Sequence, residues 1–362
     1  MPHLLDNVDE QLAAFAAAHD LPRYRQTQIR QWLFANRARD WQAMSNLPQP
    51  LRDRLAAELP IWSSQIARHT TSDDGTEKLL LTLPGGGQIE CVVLRENVGL
   101  DGKPGVRRRT MCISTQVGCA MGCVFCASGL DGVDRNLTSG EILEQLLRLQ
   151  HLLADDERLS HIVVMGMGEP LANLDALLVA LDEARRDDGL GVSARRITVS
   201  TVGLPAAIRR LADAEAPYRL AISLHAPNDT LRNQIVPTNQ KIGVDKILDA
   251  ADYFFERSRR RMTFEYVLLA GINDQPQHAR QLVRLLCDRE ALLNVIPYNP
   301  VDGLPYETPS LAAQQTFKQV LIDGGVAVRF RHRKGDKINA ACGQLRRQTA
   351  SIVSLEDFDA RD

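Results

Sequence analysis

Three cysteines lie close together in one short stretch of the chain, Cys119-Ala-Met-Gly-Cys123-Val-Phe-Cys126. Their spacing allows three thiolates to bind three irons of a 4Fe–4S cluster, because cysteine thiolates are the usual protein ligands of such clusters. The stretch holds no fourth cysteine, so one iron would stay open to a small molecule. The same spacing also occurs in zinc sites, which need four ligands in a closed tetrahedron, and among cysteines that only fill a core. We favour the cluster.

The stretches around these cysteines predict an α/β fold. An apolar run at residues 110–115 precedes the cysteines, and five more runs follow, at residues 161–165, 196–200, 219–224, 262–269 and 292–297. Such runs are typical of strands that are buried on both faces of a parallel sheet. Helical patterns lie between them, and the clearest covers residues 139–154, where Thr138 and Glu141 are spaced as a capping box. Six such units in order predict a partial TIM-like (β/α)6 barrel.

The chain before residue 110 predicts a smaller accessory part. Residues 1–62 carry apolar side chains at helical spacing, for example Leu51, Leu55 and Leu59. Residues 78–83 and 88–94 predict two strands joined by a glycine-rich turn, and the polar residues 97–109 predict a mobile loop. We therefore expect a helical accessory domain, a hairpin with a linker, a barrel that includes a C-terminal cysteine segment, and a tail, at residues 1–62, 63–109, 110–348 and 349–362.

The composition excludes several classes of protein. The chain has 362 residues, of which 44% are apolar and 24% charged, as in ordinary soluble globular proteins. It has no apolar run near the roughly 20 residues that span a bilayer, and its N-terminus lacks a signal-peptide pattern. Seven cysteines, three of them in one loop, fit a reducing compartment better than a disulfide framework. We expect a cytoplasmic protein that does not contact membranes.

The basic residues are unevenly distributed, although the net charge is only −2. Residues 329–347 contain seven arginines and lysines against one aspartate, and smaller clusters lie at residues 107–109, 195–196 and 257–261. Such clusters on a nearly neutral protein are typical of a local binding surface for a polyanion. Solvated helix ends and loops produce the same pattern, so both possibilities stay open at this point.

Polar residues follow four of the predicted strands, at the end where barrel enzymes carry their chemistry. Gly168 and Glu169 follow the second strand; a glycine would let the backbone approach a ligand, and the carboxylate would accept hydrogen bonds from an ammonium group. The short polar side chains at the other ends suit ribose hydroxyls or a carboxylate, and they are Ser200, Ser223, His225 and Asn299. Each alone is typical of a turn or cap, but four in succession indicate a ligand site.

Two further cysteines stand apart from the loop. Cys112 lies in the first predicted barrel strand, and Cys342 lies among small residues that would let a bulky ligand reach its sulfur. A lone cysteine is usually a small buried hydrophobe. We expect that role for Cys91 and Cys287, but not for Cys342.

Together these residues resemble the RlmN/Cfr family of radical SAM RNA adenine methyltransferases over essentially the full chain. The resemblance rests on the three-cysteine loop and on four other motifs, CISTQVGC at 112–119, MGMGEP at 165–170, SLHAPND at 223–229 and AACGQL at 340–345. N-terminal matches lie at residues 24–33 and 46–48. The sequence departs from the family at Val202, where serine is expected, at Lys337 and Asn339, where acidic residues are common, and in the longer insert at 97–109.

The resemblance implies a role for each candidate residue. Cys342 would be methylated to S-methylcysteine, Cys112 would form a transient disulfide with it, and Glu90 would be the general base. The ligands of one 4Fe–4S cluster would be Cys119, Cys123 and Cys126. The residues that line S-adenosylmethionine (SAM) would be Gly168, Glu169, Ser200, Ser223, Leu224, His225 and Asn299.

The implied reaction uses two SAM molecules per turnover. The thiolate of Cys342 takes a methyl group from the first, and the second is cleaved to a 5′-deoxyadenosyl radical that abstracts hydrogen from this methyl group. The carbon then bonds to adenine, and the ring proton leaves to Glu90 or Cys112. Attack by Cys112 on Cys342 releases the product and leaves a disulfide.

The resemblance also implies substrates and partners. The substrates would be 23S ribosomal RNA and transfer RNA, methylated at carbon 2 of adenosine; the alternative is a Cfr-like enzyme that acts at carbon 8. The N-terminal domain and the basic residues 329–347 would help to hold the RNA. A flavodoxin-like one-electron donor and a thiol reductant would serve a monomeric enzyme. Two other classes stay open: a radical SAM activase or repair enzyme, in which Cys342 would be idle, and an RNA-binding protein with structural zinc.

Overall fold

The computed structural model describes residues 3–98, 104–214, 218–331 and 338–345. Within these ranges the α-helices are α1 Val8–Ala18, α2 Tyr24–Arg30, α3 Gln49–Glu58, α4 Ser139–Gln150, α5 Leu174–Arg185, α6 Pro205–Asp213, α7 Asp229–Ile235, α8 Val244–Ser258, α9 Pro276–Leu286 and α10 Leu311–Asp323. A π-helical segment, Gln31–Ala35, extends α2. None of the helices in the described ranges is both long and apolar enough to cross a membrane.

The strands form one large mixed sheet and one small hairpin. They are β1 Gln65–Thr71, β2 Glu77–Thr82, β3 Gln88–Val98, β4 Pro104–Cys112, β5 Gln116–Gly118, β6 Val133–Asn136, β7 His161–Val164, β8 Ile197–Thr201, β9 Arg219–Ser223, β10 Met262–Leu268, β11 Ala291–Pro297 and β12 Val328–Phe330. The large sheet has the order β1-β2-β3-β4-β7-β8-β9-β10-β11-β12, and β5 pairs with β6. Strands β1 to β4 are antiparallel, whereas β4 and β7 to β12 run parallel to one another.

The parallel strands and the helices between them confirm the predicted partial barrel. The helices pack apolar side chains against the outer face of the sheet. Ile247, Leu248 and Phe254 of α8, for example, are all buried. The predicted capping box is present at the start of α4, where the Thr138 hydroxyl accepts from the Glu141 N–H at 3.1 Å and the Glu141 carboxylate accepts from the Thr138 N–H at 3.0 Å. The helix ends at residue 150, four residues earlier than its apolar pattern suggested.

Three sequence-based expectations were wrong. The first barrel strand begins at Pro104, so residues 104–109 belong to β4, paired with β3, instead of to a mobile loop. Arg108 of this segment lies opposite Glu96 of β3. A search for apolar runs does not detect a strand that is paired through charged residues. The seventh parallel strand, β12, is only three residues long and was not predicted. Cys287 is exposed because it ends α9 on the outer surface, whereas Cys91 is buried as expected.

Arg30 connects the N-terminal helices to the barrel. Its buried guanidinium forms an ion pair with Asp9 of α1 at 2.9 Å and with Glu183 of α5 and Asp188 just after it. Burial opposes the charge of Arg30, but the hydrogen bonds to Glu183 and Asp188 outweigh this and raise its pKa. The network therefore holds α1, α2 and α5 as one packed unit.

Glu144 of α4 holds the chain that links the N-terminal helices to β1. Its carboxylate accepts hydrogen bonds from the backbone N–H and hydroxyl groups of Ser63 and Ser64, at 2.6–3.1 Å, and pairs with Arg148 at 2.8 Å. Burial alone would raise the pKa of Glu144, but hydrogen bonds from His3 and the two serines, together with the charge of Arg148, lower it far below its usual range. The linker is thus fixed to the first barrel helix.

Candidate active site

The three-cysteine loop follows β5 and lies against the carboxyl-terminal ends of the barrel strands. The backbone N–H groups of Met121 and Gly168 donate to the sulfur of Cys119. Cys126 precedes a short 3₁₀ helix, and its sulfur accepts hydrogen bonds from the N–H groups of Ser128 and the following glycine and from the Ser128 hydroxyl. Donors directed at a sulfur stabilise its thiolate form. The loop therefore presents sulfurs that are already surrounded by donors.

The three thiols are close enough to influence one another's ionisation. Burial raises the pKa of Cys119 to about 12, and the charge of Cys126 contributes to this. Burial and the other two thiols raise the pKa of Cys123 well above its usual value. A bound metal reverses such shifts, because a coordinating thiol is deprotonated. Three soft sulfur ligands with N–H donors around them fit an iron–sulfur cluster. Among the described residues, no three or more His, Cys, Asp or Glu side chains are placed to hold the single ion that the zinc alternative requires.

Arg232 of α7 places a buried cation beside the loop. Its fully buried side chain donates hydrogen bonds to the carbonyl oxygens of Leu224 and Ser223, at 2.9 and 3.0 Å, and to that of Val202. Burial lowers the pKa of Arg232 to about 10, while the neighbouring Cys123 opposes this shift. Arg232 therefore joins the ends of β8 and β9 and supplies positive charge next to sulfurs that would be negative. Sequence analysis missed it, since one arginine in a polar helix carries no recognisable signal.

Glu169 lies directly after β7 and is anchored from both sides. Its carboxylate accepts the N–H of Val202 at 2.7 Å and that of Leu171 at 3.0 Å. Burial raises the pKa of Glu169, and these hydrogen bonds oppose the rise. The Thr201 side chain also donates to this carboxylate. A carboxylate has about four acceptor positions, so three bonds leave capacity for an ammonium group. The position is suitable for the predicted contact with the amino group of SAM, which stays a prediction.

The glycines before Glu169 allow close packing within the protein, and the close ligand approach that the sequence suggested for them stays a prediction. A Cβ atom on Gly166 would lie 2.6 Å from the hydroxyl oxygen of Ser114, and one on Gly168 would lie 2.7 Å from the Cβ atom of Gln116. Gly168 also has a φ of 102°, which residues with a side chain rarely adopt. Glycine is needed here because this turn packs tightly against the chain between β4 and β5.

Ser200 and Ser223 lie near the carboxyl ends of the adjacent strands β8 and β9, and both are half-buried. Leu224 differs from them. Its side chain belongs to the main hydrophobic core, its N–H donates to the carbonyl of Glu265 at 3.0 Å, and its carbonyl accepts from Arg232. The two serines are therefore available to a ligand in the site, whereas the backbone polar groups of Leu224 already have partners within the protein.

His225 is held as a neutral hydrogen-bond donor. It has a left-handed φ of 59°, and its Nδ1 accepts the N–H of Val267 at 3.1 Å. Its ring meets Phe125 of the cysteine loop edge-on, with centroids 4.9 Å apart. Burial lowers the pKa of His225 to about 3. Since Nδ1 accepts, the ring proton must be on Nε2, which can donate.

Asn299 follows β11 and contacts the segment that carries Cys342. Its Nδ2 donates to the carbonyl oxygen of Cys342 at 3.2 Å. Its Oδ1 is buried and has no hydrogen-bond partner in the described part of the chain. Because buried polar atoms are normally paired, this oxygen is suited to a donor on a bound molecule.

Cys112 and Cys342 are far apart in the sequence but lie together in the fold. Burial raises the pKa of Cys112 to about 12, and the charge of Cys342 is the next largest cause. Residue Cys342 as a whole is exposed, but protein atoms surround its thiol and raise the pKa of that group. The positive charge of Arg331 and a hydrogen bond from its side chain oppose this rise. Arg331 thus favours the thiolate of Cys342. Sequence analysis noted Arg331 only as part of a basic stretch.

The backbone around Cys342 is bonded directly to the cysteine loop. The N–H of Ala127 donates to the carbonyl of Gly343 at 2.8 Å, and the hydroxyl of Ser128 donates to the carbonyl of Leu345. On the other side, Gln344 donates to the carbonyl of Pro300 at 2.8 Å. These bonds hold Cys342 between the loop and the end of β11.

Glu90 lies on β3 in a buried ion pair that sequence analysis missed. Lys78 of β2 contacts the Glu90 carboxylate at 2.9 Å and donates to the carbonyl of Asn339 at 2.9 Å. Asn339 has a left-handed φ of 50° and precedes Cys342 by three residues. Lys78 therefore connects the predicted general base to the segment that carries Cys342. Lys337, the other departure from the family in this segment, lies outside the described residues.

Comparisons with known proteins agree with this site. Residues 113–283 match the model of the radical SAM superfamily, and residues 3–61 match that of the ribosomal RNA large subunit methyltransferase N-terminal domain. A probable dual-specificity RNA methyltransferase RlmN from Rhodopirellula baltica is 58% identical over 98% of this chain and 93% of its own. One from Carboxydothermus hydrogenoformans is 40% identical over 96% of this chain and 98% of its own.

A solved structure resembles the whole chain. The crystal structure of a radical SAM methyltransferase from Sphaerobacter thermophilus is 40% identical, with a TM-score of 0.88, and the match covers 96% of this chain and 99% of that one. Sequence identity at this level over nearly the full length establishes the family, and the barrel, the cysteine loop and the N-terminal helices agree with it. The chain therefore belongs to the RlmN family of dual-specificity radical SAM RNA methyltransferases.

Proposed function

We propose that this enzyme methylates carbon 2 of adenosine in RNA through an S-methylcysteine at Cys342. The substrates are the adenosine at the peptidyl transferase centre of 23S ribosomal RNA and the adenosine beside the anticodon of transfer RNA. The main support is the convergence of Cys342, Cys112 and the cysteine loop, because a methyl carrier must lie near both the radical source and the thiol that releases the product. The charge of Cys342 raises the pKa of Cys112, and the backbone beside Cys342 is bonded to the loop.

Three cysteines hold the cofactor, and polar groups at the strand ends hold SAM. A 4Fe–4S cluster on Cys119, Cys123 and Cys126, together with SAM, supplies a 5′-deoxyadenosyl radical when both are bound. Glu169 accepts hydrogen bonds from the amino group of SAM, and the free Oδ1 of Asn299 accepts from a further donor. The remaining contacts come from Gly168, Ser200, Ser223, Leu224 and His225.

Cys342 is the nucleophile that accepts the methyl group from one SAM, and a second SAM is used for the radical step. Arg331 assists because its hydrogen bond favours the thiolate, which is the nucleophilic form of cysteine. After the carbon has bonded to adenine, Cys112 attacks the sulfur of Cys342. The carbon–sulfur bond breaks, a disulfide forms between the two cysteines, and an external thiol reduces it.

Glu90 is the general base that takes the ring proton. Its carboxylate is buried, and its backbone carbonyl accepts the Ser114 hydroxyl just after β4. Lys78 balances the carboxylate charge in this buried position. Lys78 acts as a positioning residue and does not itself react.

The reaction needs partners besides the RNA. The enzyme is a cytoplasmic monomer, receives one electron at a time from a flavodoxin-like donor, and is reset by a thiol reductant. The domain at residues 1–62 contributes to RNA binding. Parts of the basic stretch at 329–347 and the tail at 349–362 lie outside the described residues.

Nucleoside mass spectrometry tests the proposal. The protein is reconstituted without oxygen and incubated with SAM, reductant and unmodified 23S ribosomal RNA or transfer RNA, and the digested RNA is compared with standards. We expect 2-methyladenosine from the wild type. We expect none from Cys342→Ala, while SAM cleavage continues, because only the methyl carrier is lost.

Two outcomes would contradict the proposal. The product 8-methyladenosine would assign the Cfr-like reaction with the same residue roles. Unchanged product formation by Cys342→Ala would remove the methyl carrier from the mechanism.

A further inference from the structure

The inner face of the barrel is polar over most of its length. Side chains alternate between the two faces of a strand, so the residues two and four positions before a site residue share its face. Before Cys112 on β4 these are Thr110 and Arg108, and before Ser200 on β8 the residue is Thr198. Arg196 ends a short 3₁₀ helix just before β8. The interiors of such barrels are usually filled by branched apolar side chains. Here the lower inner positions carry charge.

Basic residues lie along this inner face, and those that begin or precede strands lie towards its amino-terminal end. Arg219 begins β9, four residues before Ser223, and pairs in register with Thr198. Arg329 of β12 pairs with Asn294, whose side chain bonds to Glu265. We name Arg108, Arg196, Arg219 and Arg329 the basal arginine cluster.

The electrostatics show that these side chains are close together. Burial lowers the pKa of Arg108, and Glu96 opposes this shift. The charges of Arg331, Arg219 and Arg329 lower the pKa further. Burial also lowers the pKa of His161, at the start of β7, to about 4, and Arg108, Arg196 and Arg219 add to the effect. Several cations therefore repel one another within a small region of the barrel.

Little negative charge of the protein balances this cluster. The Nε atom of Arg108 is 4.0 Å from the Glu96 carboxylate, which is a long ion pair. Arg196, Arg219 and Arg329 are exposed, and none of the three forms an ion pair with another residue in the described ranges. Because the whole protein has a net charge of −2, the cluster is a local feature and does not reflect a generally basic chain.

We propose that the basal arginine cluster binds backbone phosphates of the substrate RNA, next to the target nucleotide. This inference rests on the proposed RNA substrate. Arginine binds phosphate through two parallel hydrogen bonds, and solvent-exposed guanidinium groups can reach a backbone. Four residues of strand, from Arg108 to Cys112, span about 13 Å. This is short enough for a few nucleotides beside the reacting adenosine to reach the cluster.

Salt-dependent RNA binding tests this surface. The anaerobic holoenzyme is titrated against fluorescein-labelled unmodified transfer RNA over a series of potassium chloride concentrations, and anisotropy is recorded. The test variant is R219Q/R329Q. The matched control is R280Q/R284Q, which removes two exposed arginines from the outer surface of α9. Circular dichroism and iron content show whether each variant is folded and loaded.

We expect the test variant to bind RNA at least tenfold more weakly at low salt. The slope of log affinity against log salt concentration falls in magnitude by about 1.4–1.8, because each lost phosphate contact contributes about 0.7–0.9. The control stays within about twofold of the wild type, since rim charges without a phosphate contact contribute little.

Two outcomes would overturn the inference. One is equal affinity and slope in the test and control variants. The other is unchanged RNA binding together with slower reduction of the 4Fe–4S cluster by an acidic flavodoxin-like protein. That result would make the basal arginine cluster a docking surface for the electron donor. The proposed function is judged separately by nucleoside mass spectrometry of the wild type. A wild type that forms no methyladenosine, with R219Q/R329Q still impaired in RNA binding, would reject that function and leave the RNA surface intact.

Discussion

The buried pair of Lys78 and Glu90 leads to a prediction with a definite sign. The two side chains are 8% and 1% exposed, so replacing Lys78 leaves a carboxylate charge that water cannot reach. Breaking a buried pair in this way costs about 3–5 kcal/mol, whereas replacing both partners by neutral residues of similar size is often nearly neutral. We therefore expect Lys78→Met to be far less stable than the wild type.

The double variant provides the decisive comparison. In Lys78→Met/Glu90→Gln the uncompensated charge is gone, and we expect the loss of stability to shrink to about 1–2 kcal/mol. The double variant should therefore be more stable than Lys78→Met by at least about 2 kcal/mol, which is roughly a 30-fold change in the ratio of folded to unfolded protein. A second substitution seldom reduces the loss of stability caused by a first one, so this result would be specific to a paired charge.

Urea titrations under anaerobic conditions, followed by far-ultraviolet circular dichroism, measure these differences. SAM-dependent methylation of Cys342, detected by peptide mass spectrometry, gives a second readout, because Lys78 also holds the carbonyl of Asn339. We expect Lys78→Met to reduce this methylation even where the protein is folded. A double variant that is as unstable as the sum of the two single ones would refute the reasoning.

Three further substitutions have predictable effects. Glu144→Gln should lower the free energy of unfolding by about 3 kcal/mol in urea titrations, since it removes a buried carboxylate that accepts several hydrogen bonds. Because the pKa of Glu144 is lowered in the folded protein, its contribution to stability is fully present above about pH 4.3 and is lost as the pH falls below that value. Gly168→Ala should lower thermal stability by several degrees and weaken SAM binding in calorimetry, since its Cβ would meet Gln116 at 2.7 Å. Arg232→Met should retain less iron per chain after reconstitution, since it removes the cation beside Cys123 and three bonds to strand-end carbonyls.

Each substitution has a control in the same chain. Glu58→Gln removes an exposed carboxylate that pairs with His19, and should change stability by less than about 0.5 kcal/mol. Gly85→Ala places a Cβ in open space at a φ of 76°, so it isolates the backbone strain from the clash at Gly168. Arg209→Met removes an arginine that stacks on Tyr253 away from the site. Effects as large in these controls as in their counterparts would contradict the physical causes assigned to Glu144, Gly168 and Arg232.

Features encoded locally in the sequence could be predicted. The barrel strands were recognisable as apolar runs, and the start of α4 was recognisable from Thr138 and Glu141, because a capping box involves residues only three apart. The cysteine loop was recognisable for the same reason, since its three cysteines are close neighbours in the chain. The edges of β4 were not predictable, because its first residues are charged and are held by pairing with β3.

The rest of the site depends on contacts between distant parts of the chain. Lys78 meets Glu90 only because β2 and β3 pair in a register that makes them diagonal neighbours. Arg232 reaches the loop through the ends of β8 and β9, and Arg331 reaches Cys342 through the last strand. No spacing rule connects such residues. The close packing of the two glycines in the turn after β7 was not predictable either, since their neighbours lie about fifty positions earlier in the chain.

The hydrogen bonds between the cysteine loop and the segment of Cys342 have a consequence for the placement of Cys342. Ala127 and Ser128 directly follow the last loop cysteine, and they donate to Gly343 and Leu345, which both come shortly after Cys342. A displacement of Cys126 would therefore be transmitted through the backbone to the segment of Cys342. If Cys126 binds the cluster as we propose, binding of the cluster and placement of the proposed methyl carrier are mechanically coupled.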